Sequence, residues 1–219
     1  MAKSTRNRLS IIAAVVVPVL GAAFFLFCRV GVWLAVADPV PSHLDVIFTF
    51  GGENARVAYS RELMDRYPQA RWVLSDYFHR YSRILSRDNF DMSRVAIVDT
   101  CRYTLAEVKG LGDWLRRHGR QSAPVPPVSD DAASPARQAI QPLRVALVSS
   151  PFHMRRIKSI TTHAFPNSSY MFYYLPVPLE RYGWTQHDVT WWWRTRAIRT
   201  WVGSEIGKLL AYWTLFSWN

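Results

Sequence analysis

The hydrophobic and polar positions of the chain follow two patterns. From Leu9 to Phe27 the sequence LSIIAAVVVPVLGAAFFLF carries no charge and no one-sided spacing. That is the pattern of a helix surrounded by lipid, and its length suits a hydrocarbon core of roughly 30 Å. Beyond the extended stretch Asp38-Pro39-Val40-Pro41, short β-branched and aromatic runs alternate with helix-spaced segments. Val46–Phe50, Trp72–Leu74, Val95–Val98 and Val145–Val148 read as buried strands. Ala55–Tyr67, the Leu105, Val108, Leu111, Leu115 series and the Met154, Ile157, Ile160 series read as helices.

Continuously apolar strands alternating with helices predict a parallel sheet covered on both faces. The expected fold class is therefore α/β, a Rossmann-like three-layer domain preceded by one N-terminal transmembrane helix. Residues 1–37 form the cytoplasmic N-terminus and anchor, and 38–219 the α/β domain. The Gly119–Pro142 stretch holds five of the 13 prolines and interrupts the alternation as an exposed, flexible insertion.

Lys3, Arg6 and Arg8 precede the apolar run, so the positive-inside rule places the N-terminus in the cytoplasm and the domain outside. Ala35-Val36-Ala37 has the small-x-small pattern of a signal-peptidase site, which makes a cleaved signal peptide the rival reading. The long apolar run and Arg29 favour an uncleaved anchor.

Charge changes the picture modestly. Lys and Arg number 27 against 16 Asp and Glu, a net +11, yet the excess is dispersed and forms no block like a DNA-binding arm. Nucleic acid is not an expected partner, whereas the bilayer and anionic small molecules are. Cys28 and Cys101 are too far apart in character to suggest a disulfide, one being in the apolar run. Six of the ten tryptophans lie between Trp191 and Trp218, beside Arg194, Arg196 and Arg199. Ile198, Val202, Ile206, Leu209, Trp213 and Phe216 share a helical face there. This helix either closes the core or rests on the headgroups of the same bilayer.

In open parallel sheets ligands bind beyond the carboxyl ends of the strands. There the sequence places Gly51-Gly52 with Arg56 following, Ser75-Asp76, Asp99 to Thr104, and Ser149-Ser150-Pro151-Phe152-His153-Met154-Arg155-Arg156. The last stretch enters a helix, whose N–H groups and dipole attract anions. Gly51 and Gly52 allow close approach of backbone to ligand. His153, Asp76 and Glu107 are the candidate catalytic acids and bases. Gly51, Gly52, Arg56, Ser75, Thr104, Ser149, Ser150, Arg155 and Arg156 are the candidate ligand-binding residues. The competing structural role for Thr104 and Glu107 is a capping box, and for Asp99-Thr100 a helix cap. The chain contains no G-x-G-x-x-G, Walker A, G-x-S-x-G, C-x-x-C or H-E-x-x-H pattern, so no cofactor and no metal site is indicated.

Read together, the strand into Gly51-Gly52 with Arg56, the strand into Ser75, Thr104 opening a helix, and SSPFHMRR resemble the YdcF-like domain family. That family is a domain of unknown function found in SanA-like and ElyC-like bacterial envelope proteins. The resemblance covers roughly residues 45–174 and is carried by Gly51, Gly52, Arg56, Ser75, Thr104, Ser150, His153 and Arg156. It implies a Rossmann-like domain behind a membrane anchor, acting in envelope biogenesis or barrier function. This chain departs from the pattern at Asp76-Tyr77, where the family favours two glycines, at Tyr103, where it favours Asn, and at Ala106-Glu107, where the family's Glu is displaced. The function expected is binding of an anionic, phosphorylated or lipid-linked envelope metabolite at the strand-end rim, with acid/base chemistry at His153. Two other readings stay open: a non-catalytic envelope scaffold or regulator, and a cytoplasm-facing domain for a nucleotide-like cofactor.

Overall fold

The structure, a computed structural model, describes residues 2–99, 103–118, 142–166 and 168–215. Helix α1 (Ala2–Leu34) leads into β1 (Val46–Thr49), α2 (Asn54–Arg66), β2 (Arg71–Ser75), α3 (Arg80–Arg87), β3 (Val95–Val98) and α4 (Thr104–His118). Then come β4 (Leu143–Ser149), α5 (Met154–Ala164), β5 (Tyr170–Pro176), α6 (Gln186–Thr190) and α7 (Arg196–Leu215). The insertion expected at 119–142 lies outside the described residues but for Pro142, as do Thr100, Cys101, Phe216 and Trp218.

The five strands form one sheet in the order β3-β2-β1-β4-β5, every pairing parallel. This is the expected α/β fold. Strand alternation divides the core into two layers. Ile47, Trp72, Leu74, Ala146 and Val148 face α2 and α3, packing with Leu63, Met64 and Leu85. Val46, Phe48, Val73, Val145 and Leu147 face the other way, packing with Val108 and Leu111 of α4 and Met154 and Ile157 of α5. β1 is buried along its whole length, which explains its unbroken apolar character. Its polar member Thr49 is satisfied by Ser60 Oγ at 2.5 Å and by the Trp72 indole N–H at 2.8 Å.

Two elements lack a legible pattern. In α3 only Tyr81 and Leu85 are buried, one i,i+4 pair among charged residues. Edge strand β5 exposes Met171 and half-buries four of its neighbours, so its alternation is blurred.

Residues 16–34 of α1 are long and apolar enough to cross a membrane, as a spanning anchor or a signal sequence does. The outer part, from Val16 to Phe27, exposes its apolar side chains. The last two turns dock on the domain. Leu34 is fully buried with Phe152, Val189, Trp192, Ile198, Val202 and Leu209, and the Trp192 indole donates to the Phe27 carbonyl at 3.1 Å.

Helix α7 closes that cluster, but its buried line differs from the expected one. Ile198, Val202, Glu205 and Leu209 are buried, while Ile206 is half-buried and Trp213 exposed. A carboxylate therefore occupies the third position of the inward face.

Candidate functional site

Crossing from β1 to β4 the sheet reverses its winding, so the segments leaving these two strands diverge and open a crevice at their carboxyl ends. A pocket of about 630 Å³ occupies that crevice. The loop after β1 supplies Gly51, the first turn of α2 supplies Arg56, the turn after β4 supplies Ser150 and His153, α4 supplies Thr104 and Glu107, and α5 supplies Arg156. Helix α7 forms the opposite wall with Trp201, Glu205, Lys208 and Tyr212.

Arg56 is 5% exposed and stitches the two loops together. Its Nη1 donates to the Gly51 carbonyl, and its Nη2 donates to Ser150 Oγ at 2.8 Å and reaches Glu53 Oε1 at 3.4 Å. Its Nε is buried without a hydrogen-bond partner among the described residues. Arg156, also buried, holds Glu205 through Nε at 2.9 Å and Nη2 at 3.2 Å, and donates from Nη1 to Thr104 Oγ1 at 2.5 Å. Such two-pronged pairing uses the planar fork of the guanidinium. Lys208 Nζ adds a second cation to Glu205 at 2.8 Å.

His153 sits between two hydroxyls, Ser149 Oγ on Nδ1 and Thr104 Oγ1 on Nε2, each at 3.0 Å. Burial, aided by Arg156, Arg56 and Lys208, holds its pKa well below the ordinary imidazole value, so the ring is neutral at pH 7. Glu107 shows the opposite displacement: burial pushes its carboxyl pKa up, against the hydrogen bonds from Ser75 and Gly51 and the field of Arg56 and Arg156. The pocket thus presents three cations against Glu53 and Glu205, with the third carboxyl biased toward its neutral form.

Several sequence expectations change. The Gly51 N–H donates to Glu107 Oε1 at 2.7 Å and the Gly52 N–H to Tyr81 Oη at 3.1 Å, so neither is left for a ligand. The turn into α5 begins with Pro151, which has no N–H, and its His153 N–H closes on the Ser150 carbonyl at 3.1 Å. Beside this turn the pocket is lined by the side chains of Ser150, His153 and Arg156. Thr104 and Glu107 direct their side chains across the rim, to His153, Arg156, Gly51 and Ser75, instead of forming the expected capping box.

Asp76 is not brought to the pocket. Its two oxygens accept the N–H groups of Tyr81 at 3.1 Å and Ser82 at 2.7 Å, tying down the first turn of α3. Arg155 points away as well, donating from Nε to the Trp33 carbonyl at 2.9 Å. Ser75 and Ser149 lie behind the pocket, supporting Glu107 and His153. Sequence reasoning does not find the wall contributed by α7, although Glu205 carries a signal: it is the sole acid between Arg194 and Asn219 and falls on the helix's apolar side.

Comparison with protein-family models, with curated proteins and with solved structures returns no match to this chain.

Proposed function

We propose that this chain is a single-pass protein of a bacterial inner membrane, with its N-terminus in the cytoplasm and its α/β domain in the periplasm. In this reading it is a YdcF-like envelope protein that binds a phosphorylated, lipid-linked envelope metabolite in the switch-point pocket. The observation that carries the reading is the convergence of Arg56, Arg156 and Lys208 on one pocket beside Ser150, Thr104 and the neutral His153. Buried guanidiniums in fixed orientation favour a phosphate over a monovalent carboxylate or a neutral sugar.

A second relationship favours a ligand embedded in the bilayer. The docked end of α1 packs against the Pro151–His153 turn, with Leu34 and Phe152 in one cluster, so the ligand-binding rim is next to the anchor. That proximity lets a lipid-linked phosphate reach the rim from the membrane surface. Docking through Leu34 also supports retention of the anchor, since cleavage after Ala37 would remove a buried part of the core.

Within the pocket, His153 exchanges a proton with Thr104 Oγ1 or with a ligand hydroxyl that replaces it. Neutral imidazole serves as a base in that exchange, and the arriving anion raises its basicity by offsetting the three cations. The test is binding of a polyprenyl phosphate, with the unphosphorylated polyprenol as control, to the full chain in neutral detergent. Arg56→Gln is expected to weaken phosphate binding by about tenfold to a hundredfold, the range of one charge-assisted hydrogen-bonding group. Equal affinity for alcohol and phosphate would rule the proposal out. A phosphatase fusion after Asn219 that is active only outside the cytoplasm checks the orientation.

A further inference from the structure

A second cleft, of about 500 Å³, opens where the docked end of α1 meets α5 and α7. Trp33 lines it from α1, Arg155, Lys158 and His163 from α5, and Leu209 and Trp213 from α7. Its chemistry differs from that of the rim pocket. Among the described residues no carboxylate lines it, whereas the rim pocket contains Glu53, Glu107 and Glu205.

Arg155 is held rather than loose. Its Nε donates to the Trp33 carbonyl, and its guanidinium carbon lies 4.7 Å from the centre of the Trp33 ring. Among the described residues this uses one of five N–H donors and leaves the terminal nitrogens for another acceptor. Lys158 stands over the Tyr174 ring at 5.1 Å, a contact that places its ammonium without neutralising it. Two positioned cations flanked by exposed Trp33 and Trp213 combine an anion site with the amphipathic side chains that favour a membrane interface.

The height of the cleft agrees. The exposed apolar stretch of α1 ends at Phe27, where the rings of Trp192 and Trp193 lie 4.7 and 5.3 Å from the Phe27 ring. With the hydrocarbon edge there, Trp33 stands about 9 Å further out along the helix at 1.5 Å per residue. The headgroup region adds roughly 5–7.5 Å on each side of the core, so the cleft sits at its outer edge.

We propose that this cleft binds the phosphate of an anionic phospholipid headgroup and seats the domain on the bilayer. The inference rests on the membrane-anchored reading above, but not on the identity of the rim ligand. The experiment titrates the full chain in neutral detergent with phosphatidylglycerol, with phosphatidylcholine and with soluble glycerol 3-phosphate, following tryptophan fluorescence and native mass spectrometry.

Phosphatidylglycerol is expected to bind at least tenfold more tightly than phosphatidylcholine. The preference should disappear in the Arg155→Gln, Lys158→Gln double variant and persist in Arg56→Gln, with polyprenyl phosphate binding unchanged in the double variant. A preference that survives the double variant, or that Arg56→Gln abolishes, overturns the assignment. So does glycerol 3-phosphate binding as tightly as the lipid, which would make the cleft a site for free phosphoesters. Loss of polyprenyl phosphate binding alone, with the phosphatidylglycerol preference intact, would count against the rim reading and leave this one standing.

Discussion

Arg156 and Glu205 form a two-pronged ion pair that joins α5 to α7 across the pocket, each side chain only 8% exposed. Removing one member of such a pair leaves a buried charge without its partner, which costs about 3–5 kcal/mol, whereas replacing both by apolar residues is often neutral. Glu205→Gln should therefore lower stability by that amount in denaturant titration of the full chain. The Arg156→Met, Glu205→Leu double variant should regain most of the loss while losing polyprenyl phosphate binding. A double variant as unstable as the single one would show that the pair does more than neutralise itself.

The two displaced titrations predict opposite pH dependences. His153 has a folded pKa well below its ordinary value of 6.5, so above that value both folded and unfolded states are neutral and nothing is lost. As pH falls below about 6.5 the unfolded chain takes up a proton that the folded site refuses, and stability drops by up to about 1.4 kcal/mol per pH unit. Glu107 runs the other way. Its folded pKa is raised, so its contribution is complete below the ordinary value of 4.5 and is lost as pH rises through the folded value. His153→Gln should flatten the decline between pH 6.5 and 5, and Glu107→Gln should stabilise the protein more at pH 8 than at pH 5. Thermal midpoints measured across that range check both signs. In the wild type, imidazole NMR signals of His153 should remain in the neutral form at pH 6 and shift toward protonation when polyprenyl phosphate binds.

The parts of the fold that can be read from sequence are those whose local pattern equals their environment. β1 and β4 are buried on both faces, so Val46–Phe50 and Val145–Val148 announce themselves as unbroken apolar runs. β5 sits at the sheet edge with Tyr170, Phe172 and Tyr173 half-buried, and α3 buries two residues, so neither shows a periodicity to read. The site divides in the same way. Arg56, Thr104, Ser150, His153 and Arg156 follow strands or start helices, and topology alone places them. Lys208 and Tyr212 reach the pocket only because α7 folds back over the rim, a long-range fact with no local trace. Asp76 and Arg155 show the converse limit, because a residue just past a strand end can turn its side chain either toward the crevice or away from it.

Gly52 separates backbone strain from side-chain crowding. It has φ +138°, and a Cβ there would lie 2.9 Å from Arg56 Nη1 and 3.0 Å from its Cζ. That guanidinium is fixed by the Gly51 carbonyl and Ser150 and has little freedom to retreat. Gly183 has φ +68° but open space around it. Gly183→Ala should carry the conformational cost alone, about 1 kcal/mol, and leave ligand binding intact. Gly52→Ala should cost about 1–3 kcal/mol and also displace Arg56, reducing polyprenyl phosphate affinity by an order of magnitude or more. Equal affinities in the two variants would mean that Arg56 does not contact the ligand.

Gly31 tests whether α1 and the domain act as one body. A Cβ at this position would stand 2.4 Å from the Val189 carbonyl oxygen and 2.9 Å from Trp192 Cδ1, so α1 reaches α6 and the Trp192 ring only with glycine there. Alanine in place of glycine improves helix propensity by about 1 kcal/mol and leaves the helix able to span a bilayer. Any weakening of the protein in Gly31→Ala therefore comes from undocking, not from loss of the helix. The variant should remain in the membrane fraction, yet the stretch Asp38–Pro41 should become more open to limited proteolysis, and the indole environment of Trp192 should become more polar in fluorescence. Because Leu34 and Phe152 share the cluster that undocking disrupts, the Pro151–His153 turn loses support and polyprenyl phosphate binding should fall with it. A Gly31→Ala protein with wild-type proteolysis and fluorescence would show that α1 and the domain are not rigidly joined, and that the rim lies beside the membrane only by tether.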